Sequence, residues 1–227
     1  MAKTAKPKGA KRGKKGIPVA DFAVDPLLVD DDPDLLKAIE RLLQSAGLNV
    51  ETFLSPQEFL EGHDRNSPGC LVLDLSMPGL SGLELQRTLE QRVSHLPIIF
   101  LTGRGDIAAS VQAMKHGAAD FLTKPVDDTE LLAAIQAALA SDNVARRARM
   151  EQERVASCLA TLTERERQVL ELIVAGRLNK QIADDLGTSE KTIKFHRGNL
   201  MRKMKVRVVA DLVKLAERAG IGSPPQS

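Results

Sequence analysis

Four groups of polar residues each sit at the end of a short apolar run. Asp30-Asp31-Asp32 follows Leu27–Val29, and Asp74 follows Leu71–Leu73. Thr102 follows Ile98–Leu101, and Lys124-Pro125 follows Asp120–Leu122. Carboxylates brought together at one edge repel each other, so such a cluster needs compensation. A hard cation with oxygen ligands supplies it, and Mg²⁺ uses only a few carboxylates while keeping waters. Such a cation and Lys124 would together screen an incoming phosphoryl group. Asp74 would then attack phosphorus as a carboxylate nucleophile, giving an aspartyl phosphate. A single aspartate after a strand is more often a turn residue. Four such ends in this order do not follow from turn preference.

A second group lies near the C-terminus. Ile193, Leu200 and Met204 stand at i, i+7 and i+11 and share one helix face, which must be core. Lys191, Phe195, Gly198 and Arg202 lie opposite, with Lys194 and Lys205 flanking. The outward face is therefore basic, with one exposed aromatic. A charge run is usually a solvated helix face, and alone this one favours that reading; a tight turn before it and the net positive charge around it weigh toward DNA. An α-helix fits the major groove, where Lys and Asn read base edges and apolar groups meet thymine methyls.

The elements that must position these groups follow from periodicity. Leu27–Val29, Val50–Phe53, Leu71–Leu73, Ile98–Leu101 and Asp120–Leu122 read as strands. Pro33–Ala46, Pro56–Glu61, Leu83–Gln91, Ile107–His116 and Asp128–Leu139 read as the helices between them. Five repeats of strand and helix imply a parallel sheet covered on both faces, with ligands at the carboxyl ends of its strands. Residues 141–161 contain neither Pro nor Gly and read as a helical linker. Ala145, Ala148, Gln152, Val155, Leu159 and Leu162 form a 3–4 stripe there, fitting either a short coiled-coil seam or a solvated amphipathic helix. Four further helices follow. Thr163 and Glu166 make a capping box, Gly176 ends the first helix, Asn179 caps the second and Ser189 the third. Val209–Ala219 is the fourth. A short helix, a tight turn at Gly187 and a longer basic helix make a helix-turn-helix.

The chain has 227 residues, 27% charged and 43% hydrophobic, which suits two ordinary folded domains. Its net charge of +2 hides an uneven distribution: +7 over residues 1–16, −11 over 17–140 and +6 over 141–227. An acidic first domain and a basic second one point to different partners, with nucleic acid for the latter. No apolar run approaches a membrane span. The two cysteines, Cys70 and Cys158, are far apart without metal-ligand spacing, which fits a reducing compartment. The basic N-terminus lacks an apolar core, so it is not a secretory signal, and a cytoplasmic location is expected.

The segments VDDDP, LVLDLSMPGLSG, IIFLTGRGD and FLTKPV resemble the receiver domain of two-component response regulators. The segment LTERERQVLELIVAGRLNKQIADDLGTSEKTIKFHRGNLMRKM resembles the DNA-binding domain of the NarL/FixJ, or LuxR-type, family. Together they cover nearly all of residues 26–220. The resemblance implies an α/β receiver with a doubly wound, five-stranded parallel sheet of the flavodoxin or CheY type, followed by an all-α helix-turn-helix domain of four helices. It divides the chain into a disordered basic tail (1–20), a receiver (21–140), a helical linker (141–161), a DNA-binding domain (162–221) and a disordered end (222–227).

By the same resemblance Asp74 is the phospho-acceptor. Asp30, Asp31, Asp74 and the backbone carbonyl of Ser76 hold Mg²⁺. Lys124 pairs with the phosphoryl group, Thr102 swings toward it, and Phe121 turns inward behind. The Lys124–Pro125 peptide is cis. Val111 and Lys115 belong to a face, remodelled by phosphorylation, through which the chain dimerises. Lys194, Phe195, Gly198 and Asn199 face bases. Lys180, Thr188, Ser189 and Thr192 face phosphates. The implied partners are a sensor histidine kinase, double-stranded DNA, a second copy of the chain and RNA polymerase, with no membrane. Phe195, Gly198 and Val208 depart from the family pattern, and Asp32 is an extra acid suited to a helix start.

Two other functions compete. Phosphatases with a strand-end aspartate nucleophile place a second aspartate two residues later as general acid. Ser76 stands there instead, and there is no cap domain, so an enzyme is not expected. A DNA-binding protein whose receiver works without phosphorylation is opposed by the full set of Asp30, Asp31, Asp74, Thr102 and Lys124.

Overall fold

A computed structural model describes residues 24–64, 67–103 and 107–221, without the side chains of residues 107–110. Both segments expected to be disordered, 1–20 and 222–227, lie outside the described residues. The chain divides into two compact units, Met1–Val144 and Ala145–Ser227.

In the first unit, strands β1 (Leu27–Val29), β2 (Glu51–Phe53), β3 (Leu71–Asp74), β4 (Ile98–Thr102) and β5 (Asp120–Thr123) form one sheet in the order β2-β1-β3-β4-β5. Every pairing is parallel. The central strands β1, β3 and β4 are buried along their whole length, which is why they read as continuous apolar runs. Side chains alternate between the two faces. Leu27, Val29, Leu71, Leu73 and Phe100 pack on one side with Phe59, Leu85 and Ala113. Those come from α2 (Pro56–Gly62), α3 (Gly82–Gln91) and α4 (Ile107–Lys115). Leu28, Val72, Ile99, Leu101 and Leu122 pack on the other with Ile39, Leu43, Ile135 and Leu139. Those belong to α1 (Pro33–Ser45) and α5 (Asp128–Ala160). The sequence-predicted alternation of strands and helices is the observed one.

The helix ends follow local chemistry. Asp32 is the N-cap of α1, accepting from the backbone N–H groups of Asp34 and Leu35, so the extra acid starts a helix. At the end of α3, Val93 adopts φ +56° in the left-handed position that Gly47 occupies after α1.

Two expectations change here. The sequence predicts a helix ending at Leu139 and a helical linker over residues 141–161. Instead one helix runs for 33 residues to Ala160, because nothing between breaks it. Of the stripe that fits either a coiled-coil seam or a solvated face, only the second half is covered within the chain. Val155 and Leu162 are buried in the core of the second unit with Leu159 packed against it, and Ala145, Ala148 and Gln152 stay exposed.

In the second unit, α6 (Glu164–Val174), α7 (Asn179–Asp185), α8 (Glu190–Lys203) and α9 (Val209–Arg218) enclose Val169, Ile182, Ile193, Leu200, Met204 and Leu212. Thr163 and Glu166 form the expected capping box of α6. Ser189 caps α8, accepting from the Thr192 N–H. Asn179 is not the cap of α7. Leu178 takes that position, and Gln181 accepts its N–H. Asn179 instead accepts a 2.6 Å hydrogen bond from Arg197, tying α7 to α8. Val208 caps α9 without a side-chain bond, as an apolar residue must. Glu166, 3% exposed, accepts a 2.6 Å bond from Lys203, which also donates to the Thr161 carbonyl. Those contacts hold the Glu166 carboxyl below its ordinary pKa, although burial alone would raise it.

Candidate functional site

The carboxyl ends of β1, β3, β4 and β5 bring the first group together. Asp30 and Asp74 are buried, at 1% and 5% exposure, while Asp31 is exposed. Oxygens of all three carboxylates lie within 4.8 Å of one another. Lys124, one residue past β5, reaches across the edge. Its Nζ is 2.7 Å from Asp30 Oδ2 and 2.8 Å from Asp74 Oδ1. The Asp32 N–H donates to the other Asp30 oxygen at 2.9 Å. Burial raises the Asp30 pKa, against the opposing pull of Lys124 and the Asp32 N–H. Burial also disfavours the charged Lys124, but the hydrogen bonds it donates to Asp30 and Asp74 outweigh it and raise that pKa. The arrangement is an acidic pocket with an internal counter-ion.

Thr102 is 2% exposed at the end of β4 and donates to the Leu122 carbonyl at 3.4 Å, not to an acid. Phe121 on β5 is 43% exposed, so its ring lies outward rather than turned in behind Thr102. Val111 and Lys115 are exposed on α4, together with Met114. Ser76 is exposed in the turn after β3. The Lys124–Pro125 peptide is cis.

Sequence reasoning missed Gly82. A Cβ at this residue would stand 2.4 Å from the Asp74 carbonyl oxygen and 3.1 Å from the Phe100 ring. The Gly82 N–H donates to the Leu75 carbonyl at 3.1 Å, so α3 begins directly against the backbone that carries Asp74. The available signal was the glycine following Ser81, a capping residue whose partner is Glu84.

On α8, Lys191, Lys194, Phe195, Gly198 and Arg202 are exposed, opposite the buried Ile193, Leu200 and Met204. Lys180 is exposed on α7, and Thr188, Thr192 and Asn199 are partly buried. Phe195 is 65% exposed. Two internal pairings were not expected. Lys194 Nζ is 3.1 Å from Glu190 one turn back, and Arg202 donates to the Asn199 side chain.

An acidic pocket at the carboxyl edge of a five-stranded parallel sheet, followed by a helix-turn-helix, defines a receiver domain joined to a DNA-binding domain. Residues 27–136 match the response regulator receiver domain, and residues 160–216 match the bacterial regulatory proteins of the luxR family. The chain belongs to the response regulators that pair these two domains, and its fold class is that of the family. It is 42% identical to nodulation protein W of Bradyrhizobium diazoefficiens over 93% of each chain. It is 46% identical to the response regulator protein TodT of Pseudomonas putida over 84% of each. The solved structure of response regulator StyR superposes with a TM-score of 0.82 at 45% identity, covering 86% of this chain and all of that one. The family is one of transcription regulators, and its two domains imply a sensor kinase and DNA as partners. Among the described residues, no helix is long and apolar enough to cross a membrane.

Proposed function

We propose that a sensor histidine kinase transfers a phosphoryl group to Asp74, and that this switches the chain to a dimer that binds specific DNA and regulates transcription. The observation that carries the reading is the buried Asp74 carboxylate, held 2.8 Å from Lys124 beside Asp30 and Asp31. In the transfer an Asp74 oxygen forms a bond to phosphorus while the phosphorus–nitrogen bond to the kinase histidine breaks. Asp30, Asp31, Asp74 and the Ser76 carbonyl fit a Mg²⁺ ion, since all are hard oxygen donors and the three carboxylates already converge. When bound, that ion neutralises charge on the transferring oxygens. Lys124 orients the phosphoryl group from the opposite side. Thr102 moves from the Leu122 carbonyl to a phosphoryl oxygen, leaving room for Phe121 to turn inward.

The face of Val111, Lys115 and Phe121 then joins two copies. Each helix-turn-helix reads a short half-site, so dimerising multiplies two weak contacts. Lys180, Thr188, Ser189 and Thr192 meet phosphates. Lys194, Phe195 and Asn199 reach bases, and Lys191 and Arg202 flank them. RNA polymerase is the downstream partner. Ser76 cannot serve as the general acid of an aspartate phosphatase, so the chain acts as a regulator and not as an enzyme. Buried, free Cys70 and Cys158 suit the cytoplasm.

Asp74→Asn preserves the shape and removes the nucleophile. Mass spectrometry after treatment with acetyl phosphate should find label on the wild-type protein and none on the variant. Undiminished label on the variant would refute the assignment. Equal DNA affinity with and without label would favour a receiver that works independently of phosphorylation.

A further inference from the structure

Helix α3 buries Leu85 and Leu89 in the core, yet Gln86 beside them is only 2% exposed. Its Nε2 donates to the carbonyls of Ala113 at 3.2 Å and His116 at 3.0 Å. Its Oε1 is buried with no hydrogen-bond partner among the described residues. An apolar side chain of the same size would fill the place without stranding an acceptor, so packing does not account for the amide. Its two donors do. His116 lies just past α4, where a helix leaves carbonyls without intrahelical partners, and Ala113 lies in its last turn, where its carbonyl also accepts from the Ala118 N–H at 3.0 Å. One turn further along α3, Glu90 Oε1 stands 3.6 Å from His116 Nδ1. Gly117, at φ +80°, then turns the chain toward β5. The corner between α4 and β5 is therefore held from α3 by a buried amide, with the exposed Glu90–His116 contact outside it.

The same corner joins the two elements that expose Val111, Lys115 and Phe121. We propose that Gln86 is a positioning residue that clamps the α4–β5 corner and sets how strongly that face responds to phosphorylation. The inference rests on the reading that phosphorylation of Asp74 remodels this face. A shift of the last turn of α4 must break both Gln86 bonds together, so the clamp favours the arrangement described here over a displaced one. Without it, the two arrangements lie closer in free energy, and the unphosphorylated chain visits the dimer-forming one more often.

The test uses the full-length chain with acetyl phosphate as donor. Gln86→Met keeps the volume and removes both donors. The variant should take up label on Asp74 at the wild-type rate. Its unphosphorylated dimer dissociation constant should fall about fivefold or more, while that of the phosphorylated form changes less than about twofold. In the wild-type protein, amide exchange over residues 113–118 should quicken on phosphorylation relative to α3. A variant that labels normally and keeps the wild-type ratio of the two constants overturns the clamp, as does unchanged exchange over 113–118. A wild-type protein that labels without any change in sedimentation overturns the underlying reading of the face instead. If Gln86→Met does not fold, the exchange measurement on the wild-type protein decides alone.

Discussion

Replacing Lys124 with Met tests whether the ammonium and a divalent cation compete for the same carboxylates. Lys124 Nζ is 2.7 Å from Asp30 and 2.8 Å from Asp74, and those side chains are 2% and 7% exposed. Removing one partner of a buried ion pair costs about 3–5 kcal/mol, because the remaining charge is uncompensated. Two carboxylates share this ammonium, which pushes the cost up. Lys124 is itself 28% exposed, and water admitted to the edge pulls the cost down. The expected loss at neutral pH without divalent cations is about 3 kcal/mol. Mg²⁺ should restore part of it. In the wild-type chain the ion must displace Lys124 from two oxygens, whereas in Lys124→Met the oxygens are free. The variant should therefore bind Mg²⁺ about tenfold more tightly, a gain of about 1.4 kcal/mol at saturating ion. The chain has neither Trp nor Tyr, so intrinsic fluorescence would report little. Urea unfolding followed by far-UV circular dichroism, in EDTA and across a magnesium titration, gives both quantities. Equal or weaker Mg²⁺ affinity in the variant would refute the competition. A destabilisation below about 1 kcal/mol would refute the account of Lys124 as counter-ion.

Gly82→Ala places a Cβ 2.4 Å from the Asp74 carbonyl oxygen, so it should cost about 1–3 kcal/mol and slow phosphorylation, measured by denaturant unfolding and acetyl phosphate labelling. Val93→Gly relieves a β-branched residue at φ +56° and should stabilise the receiver by about 1 kcal/mol, seen as a higher midpoint in urea. The carboxyl of Glu166 is held below its ordinary pKa of 4.5, so its stabilisation is complete above that value and is lost as pH falls through the lower folded value. Glu166→Gln should flatten this acid dependence of the second unit's unfolding and cost about 2 kcal/mol at neutral pH, reduced because Lys203 is 31% exposed. Lys180→Ala should weaken binding to all DNA alike, and Lys194→Ala should cost about 1–3 kcal/mol on the preferred site and relax one position, in titrations against specific and random duplexes.

The sheet was legible because its central strands are buried on both faces, and the acidic edge because β1, β3, β4 and β5 each stop at or just before a polar residue. What the sequence hid were contacts that depend on neighbours distant in the chain. Gly82 looks like a helix-start glycine until Asp74 and Phe100 are placed against it. Gln86 looks like an exposed polar position until the end of α4 lies over it. Asn179 carries the sequence signature of a cap, but Gln181 satisfies the first N–H and frees Asn179 for Arg197. The stripe from Ala145 to Leu162 has coiled-coil spacing, yet periodicity says only that a face is apolar, not which surface covers it. Here the DNA-binding domain's own core covers its second half.

The placement of phenylalanine connects the two functional surfaces. Phe53, Phe59 and Phe100 are at most 5% exposed, whereas Phe121 and Phe195 are 43% and 65% exposed. Burying such a side chain contributes about 1.5–3 kcal/mol, so a chain that leaves two of them in water forgoes that stabilisation. Neither exposure follows from local structure. A polar residue would suit the solvent side of β5 at Phe121, and the basic face of α8 at Phe195 needs no aromatic for its helix. Nothing stands within 4 Å of a Cβ built on Gly198, one turn after Phe195, so the surface beside the ring is open. Each ring has a destination in the proposed function: Phe121 in the space vacated by Thr102, and Phe195 against bases in the major groove. The stabilisation withheld while both rings stand in water is thus available to the two events of the proposed function.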